Sequence, residues 1–321
     1  MASPSQTSKL RMLGLPIFDD LESFAQVTRL SKKFLYLHSS FSDQHYKKYF
    51  IPKKSGGQRE ISQPSKAHKA IQGWILRNIL DLLQVSQASK GFAKKQTTAD
   101  NAIPHIGANA ILSLDLEDFF PSITANKVYS IFHSLGYSKP ISIMLTSICT
   151  CGGKLPQGSP CSPKLANLVC IRLDNRVQGY VGARGVTYTR YADDLTFSAA
   201  HPGKLMHIFN FIRRIITEEG FSLNESKTRL AGTRLRKKVT GLVVTEGAVG
   251  VGRIKYRELR SKVFNLTKTQ DIFYDQKEIN EIYGWLGYLK SIDSKRYEKL
   301  VSQIETLKKN HKETSLDYLL V

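Results

Sequence analysis

Three aspartates are the residues best placed to do chemistry. Asp193 and Asp194 are adjacent within "TRYADDLTFSA" (189–199), and Asp115 lies in "ANAILSLDLEDFFPSI" (108–123). Tight hairpins prefer Asn-Gly or Asp-Gly, and neighbouring carboxylates raise each other's pKa unless a cation lies between them. Something must therefore offset the repulsion at an Asp-Asp turn. Magnesium suits the place, because it is held by one or two carboxylates together with substrate phosphates and keeps several waters. Two such ions, about 3.5–4 Å apart, activate an attacking hydroxyl and stabilise the leaving oxygen of an in-line displacement. The ordinary alternative is an acidic surface turn. Against it stand Asp115 on the polar side of an apolar strand and the strongly basic chain around the acids.

The elements that must position these acids are legible as pattern. In 108–123, strand alternation turns Ile111, Ser113 and Asp115 one way and Leu112, Leu114 and Leu116 towards the core, and Pro121 stops the strand. A helix follows, with Thr124 as N-cap, a stripe of Val128, Ile131, Phe132 and Leu135, and Gly136 as its end. After the loop "KLPQGSP", Ser162 is read as capping a helix with Pro163 in its first turn and one stripe of Ala166, Val169, Cys170, Leu173 and Val177. "GVTYTRY" and "LTFS" then form a hairpin with the acids at its turn. If that hairpin and the Asp115 strand share one antiparallel sheet, three carboxylates converge.

Upstream, residues 1 to about 50 read as helical, and "YFIPKKSGGQREISQPS" (49–65) as strand, Gly-Gly turn and strand with Lys53, Lys54 and Arg59 beside the turn. The 321 residues carry 47 Lys+Arg against 27 Asp+Glu, a formal charge of +20. Such a charge favours polyanionic partners, nucleic acid above all. Residues 227–262 hold eleven basic and two acidic residues, a local +9. There Arg253, Arg257 and Arg260 share one helical face, and Leu259, Val263 and Leu266 another. Cys149, Cys151, Cys161 and Cys170 lack zinc-knuckle spacing and read as packed, reduced thiols. With no apolar run long enough to span a bilayer and no signal core, the expectation is a cytoplasmic protein without a membrane partner.

Together these segments resemble reverse transcriptases. "YADD" (191–194) resembles their catalytic turn, and Asp115 followed by Phe120 their first palm motif. "LPQGSPCSP" (155–163) is similar to the nucleotide-binding loop, and "GFSLNESKT" (220–228) to the segment after the catalytic hairpin. "NAIPH" (101–105) and "VTG" (239–241) resemble elements of retron enzymes, and the 76 residues beyond 245 are short for intron-type extensions.

The resemblance implies an α+β right-hand polymerase. Its N-terminal helical extension would be 1–50, its interleaved fingers and palm 51–245, the palm an antiparallel sheet flanked by helices, and its helical thumb 246–321. It further implies an RNA-directed DNA polymerase that copies a cognate structured non-coding RNA into RNA-linked DNA (msDNA), from a 2′-hydroxyl primer, in antiphage defence with an effector protein. Its partners would be that RNA, the RNA-DNA hybrid and deoxynucleotides. By the same resemblance, Asp115, Asp193, Asp194 and the Leu116 carbonyl would hold two Mg2+. Phe120 would exclude a 2′-hydroxyl, Gln157 would contact the nucleotide, Arg59 with Lys53 or Lys54 the triphosphate, and Lys227 would protonate pyrophosphate. RNA contacts would come from Asn101, His105, Val239, Thr240, Gly241, Arg253, Arg257 and Arg260. The alternatives are an intron-like or diversity-generating reverse transcriptase, or an idle RNA-binding scaffold.

Overall fold

The computed structural model describes residues 4–53, 56–93, 96–268, 276–311 and 314–319. In chain order these form α1 (Pro4–Met12), α2 (Leu21–Thr28), α3 (Lys32–Ser40), β1 (Tyr46–Pro52), β2 (Gln58–Pro64), α4 (Lys66–Asn78), α5 (Thr98–Ala102) and β3 (Ala110–Asp115). Next come α6 (Ala125–Leu135), α7 (Lys139–Cys149), α8 (Ser162–Val169), α9 (Ile171–Gly182), β4 (Thr187–Tyr191), β5 (Asp194–Ala199) and α10 (Pro202–Glu218). The remainder is β6 (Arg229–Ala231), β7 (Lys238–Val239), β8 (Leu242–Val244), β9 (Val249–Gly250), α11 (Arg253–Asn265), α12 (Gln276–Ile292) and α13 (Ser294–Asn310). The class is α+β, and the chain divides into two compact units.

The first unit comprises 1–96, 113–197 and 203–229. Its β1–β2 hairpin is antiparallel from Tyr46↔Pro64 to Pro52↔Gln58, and Gly56 and Gly57 both take left-handed φ in the connection. A four-stranded sheet runs in the order β4-β5-β3-β6, so the aspartate hairpin lies beside the Asp115 strand. Helix α6 begins after Thr124, whose side chain makes no cap bond, and ends at Gly136 with φ 110°.

Two local expectations are corrected. Cys161, not Ser162, takes the cap position of α8; Ser162 is already helical and its hydroxyl donates to the Pro156 carbonyl at 2.7 Å. The stripe expected on one helix is split between α8 and α9, with Cys170 between them. On β3, Ile111, Leu112, Leu114 and Asp115 are all buried, so the face that carries Asp115 is covered as well as the leucine face. All four cysteines are free and buried.

The second unit comprises 97–112, 198–202 and 230–321. The three-stranded antiparallel sheet β7-β8-β9 and helices α11, α12 and α13 share a core that includes Val239, Leu242, Leu259, Val263, Ile282, Leu289, Leu300 and Ile304. The apolar face expected on α11 is the buried one, while Arg253, Arg257 and Arg260 are exposed. Among the described residues no helix is long and apolar enough to cross a membrane.

Candidate active site

The end of β3 is gripped from both sides by backbone. Leu116 N–H donates to the Asp193 carbonyl at 3.0 Å, bringing the hairpin turn against the residue that follows Asp115. On the other edge Asn224 N–H donates to the Asp115 carbonyl and Glu117 N–H to Ser222, both at 2.8 Å, with Leu116 bridging Leu223. The short helical turn Glu225–Lys227 follows directly, and it delivers Lys227 Nζ to 3.0 Å from both carboxylate oxygens of Asp115.

The hairpin turn itself is Ala192-Asp193, with Asp194 opening β5. Ala192 takes φ 58°, the left-handed value that a type II′ turn gives to Gly at its first central position. Burial, and after it the charge of Asp115, pushes the Asp193 carboxyl above its ordinary range, while Lys227 and Arg59 pull it back. Asp194 opens to solvent on one side, yet crowding by surrounding protein, then the charges of Asp193 and Asp115, push it up to about 6. The three carboxylates are thus close enough to repel one another.

Among the described residues no three His, Cys, Asp or Glu side chains form a ready metal cage. The cation resting on Asp115 is an ammonium. The donor set nevertheless fits a hard divalent ion: it consists of carboxylate oxygens, two of the groups are held above their normal pKa, and added positive charge relieves both.

The other expected residues are placed as follows. Phe120 is half-buried, its ring 6.0 Å from Phe92 and 5.4 Å from Phe119. Arg59 on β2 is exposed, with its charge felt at Asp193. Gln157 is half-buried, and its carbonyl accepts from Ser62 N–H on β2 at 2.9 Å. Beside it Gly158 has φ 132°, and a Cβ there would lie 2.7 Å from the Ser62 carbonyl oxygen. Lys53 is exposed; Lys54 lies outside the described residues.

The sequence reading missed what holds the turn. Arg190 is completely buried, and its guanidinium donates twice to Asp174 at 2.8 Å, to Asn167 Oδ1 at 3.1 Å and to the Ala192 carbonyl at 3.0 Å. Tyr188 donates to the same Asp174 at 2.8 Å. Asn167 also donates to the Gly91 carbonyl at 2.8 Å, and a Cβ on Gly91 would stand 3.0 Å from the Ala192 nitrogen. The available signal was an acid at position 174 on the stripe formed by Cys170 and Val177.

In the second unit "NAIPH" and "VTG" meet. Thr240 and Gly241 form the two-residue β7–β8 turn with φ 46° and 83°, the first an outlier for a β-branched residue. Thr240 Oγ1 accepts from Asn101 at 3.4 Å and donates to the Thr98 carbonyl at 3.3 Å. His105 pairs with Ser198 at 2.6 Å. Asn101, His105 and Val239 are buried. All three side chains are thus turned into the unit, and of them Asn101 reaches the hairpin turn directly, through Thr240.

Comparison with known proteins accords with these motifs. The family described as "Reverse transcriptase (RNA-dependent DNA polymerase)" matches residues 51–256. The retron Ec86 reverse transcriptase of Escherichia coli is 48% identical over 313 residues, 97% of this chain and 96% of the relative. The retron Mx65 reverse transcriptase of Myxococcus xanthus is 32% identical across 91% of this chain and 73% of its own length, and the retron Mx162 enzyme of the same organism is 30% identical across 95% and 70%. This chain belongs to the reverse transcriptase family, and within it to the retron RNA-directed DNA polymerases.

Proposed function

We propose that the chain copies part of a cognate structured non-coding RNA into RNA-linked DNA, msDNA, by in-line phosphoryl transfer from deoxynucleotides. The observation that carries this reading is the meeting of Asp115 with Asp193 and Asp194 at one end of the sheet, within electrostatic reach of Lys227 and Arg59. In this scheme 51–245 supply fingers and palm, 246–321 the thumb, and 1–50 an N-terminal extension.

Asp115 and Asp193 would hold two magnesium ions, with Asp194 and the Leu116 carbonyl completing the set. Bound there, the ions would lower the pKa of the attacking hydroxyl and neutralise charge on the leaving pyrophosphate. The protein's own share is positioning and charge. Arg59 with Lys53 or Lys54 orients the triphosphate, Gln157 contacts the nucleotide, and the Phe120 ring stands where a 2′-hydroxyl would project. Lys227 leaves Asp115 when substrate enters and donates a proton to the departing pyrophosphate oxygen.

RNA is gripped through the exposed Arg253, Arg257 and Arg260 and the Thr240-Gly241 turn, whose form Asn101 supports. The reading extends, through the retron resemblance, to a cytoplasmic role in antiphage defence beside an effector protein. The test is extension on the cognate RNA and on a simple primer-template, with Asp193→Asn beside the wild type. The variant is expected to lose synthesis and keep RNA binding. Comparable extension by the variant would remove Asp193 from the reaction, and equal use of unrelated RNAs would remove the cognate partner.

A further inference from the structure

The second unit contains a cavity of about 410 Å³ that none of the assigned residues except Gly241 touches. Two aromatic side chains line it: Trp285 and Tyr288, one turn apart on α12, meet edge to face with centroids 5.7 Å apart. The charged residues that line it are Arg236, Lys238 and Lys255, with Glu258 as the acid among them. Arg236 and Lys238 are exposed, and Trp285 is half-buried. The Lys255 ammonium lies over the indole, 4.8 Å from the ring centroid, and has a second partner in Glu258 at 3.0 Å, while Glu281 hydrogen-bonds Trp285.

Gly241, one of its lining residues, belongs to the turn whose left-handed Thr240 is tied to α5. Volumes of this order suit a compact ligand, since small-molecule sites span roughly 300–1,000 Å³, and the space is too small for a helix or a duplex. An aromatic platform beside cations that track a backbone is the arrangement that takes an unstacked base with its phosphate.

We propose that this cavity is a binding site for one unpaired nucleotide of RNA, with the base on Trp285 and the phosphate between Arg236 and Lys238. The proposal rests on the reading of the chain as an RNA-copying enzyme and adds a place where single-stranded RNA is held away from the reaction centre's residues.

The chain has only two tryptophans, and Trp74 packs against Phe18 and Phe24 in the first unit. Trp74→Phe therefore leaves Trp285 as the sole reporter. Full-length Trp74→Phe protein is titrated with a single-stranded RNA pentamer and with an abasic pentamer of equal charge. The expected result is saturable quenching by the base-bearing RNA alone. Adding Trp285→Leu in place of the reporter, with affinity read by anisotropy of labelled RNA, should cut the preference for the base-bearing pentamer roughly five- to hundredfold; Trp285→Phe should retain it. Equal quenching by the abasic strand, an undiminished preference in Trp285→Leu, or quenching by oligoglutamate but not by RNA would overturn the proposal. Primer extension by the wild-type protein is scored separately, so a failure of the polymerase reading and a failure of this site give different results.

Discussion

Lys227 Nζ lies 3.0 Å from each oxygen of Asp115, so the acid on the central strand is neutralised by a side chain that is itself half exposed. An ammonium in this position does part of the work that a divalent ion would do, and it competes with one. Lys227→Met is therefore expected to lower the thermal midpoint in chelator by a few degrees, with magnesium restoring it, because the three carboxylates then repel with only Arg59 to offset them. The same variant should reach half-saturation at a lower magnesium concentration and turn over more slowly. Calorimetry with and without magnesium, beside a metal titration of primer extension, checks both parts. Identical midpoints in chelator would show that Lys227 does not balance the acids.

The Arg190–Asp174 pair sets up a separation of stability from geometry. Arg190→Met strands Asp174 in the interior, a loss of roughly 3–5 kcal/mol, or about 10 °C in a unit of this size. Arg190→Met with Asp174→Leu removes the stranded charge and should recover most of that midpoint. It cannot restore the hydrogen bond to the Ala192 carbonyl, so turnover should remain at least about tenfold down while RNA binding is normal. Full activity in the double variant would make the pair a packing device only.

Phe120 stands half-buried beside Phe92, with part of its ring open. Shortening it to alanine opens space on the sugar side of the proposed nucleotide position. Phe120→Ala should reduce the preference for deoxynucleotides over ribonucleotides by roughly tenfold or more, measured as a ratio of kcat/KM. An unchanged ratio would assign sugar selection to a different residue.

Two buried histidines give the protein an acid limb. Burial pushes His105 down to about 4; burial, then the neighbouring His38 and His45, pushes His68 down to about 4 as well. Between pH 6.5 and 4 the unfolded chain binds more protons at these sites than the folded one, so stability is full above about 6.5 and falls as the pH drops. The raised carboxyls of Asp193 and Asp194 act in the opposite sense below about pH 6, so the decline due to the histidines is read as the difference between wild type and His105→Asn, whose midpoint should fall less between pH 6.5 and 4. A midpoint profile for the variant parallel to the wild type would exclude His105 from the effect.

The acids and their elements were legible because they follow local rules: period-2 alternation in β3, β-branched and aromatic residues around the turn, and Gly136 at a helix end. Asp115 and Asp193 could be brought together on paper only by assuming that the strand and the hairpin share a sheet, as they do. What stayed hidden depends on tertiary placement. Nothing in the chain between α9 and β4 shows that Asp174 will meet Arg190 across a helix and a strand, or that Asn101 will be turned inward to Thr240 139 positions away. The split at Cys170 was equally hidden, since an apolar stripe continues across a break that keeps the same face inward.

The seam where Gly158 rests on the Ser62 carbonyl leaves no room for even a methyl group. The loop that carries Gln157 and the β-ribbon that carries Arg59 are consequently one mechanical part. Any swing of the ribbon towards an incoming triphosphate drags the loop with it, and a bulkier residue at 158 would act as a wedge, uncoupling the two while leaving every charged group in place.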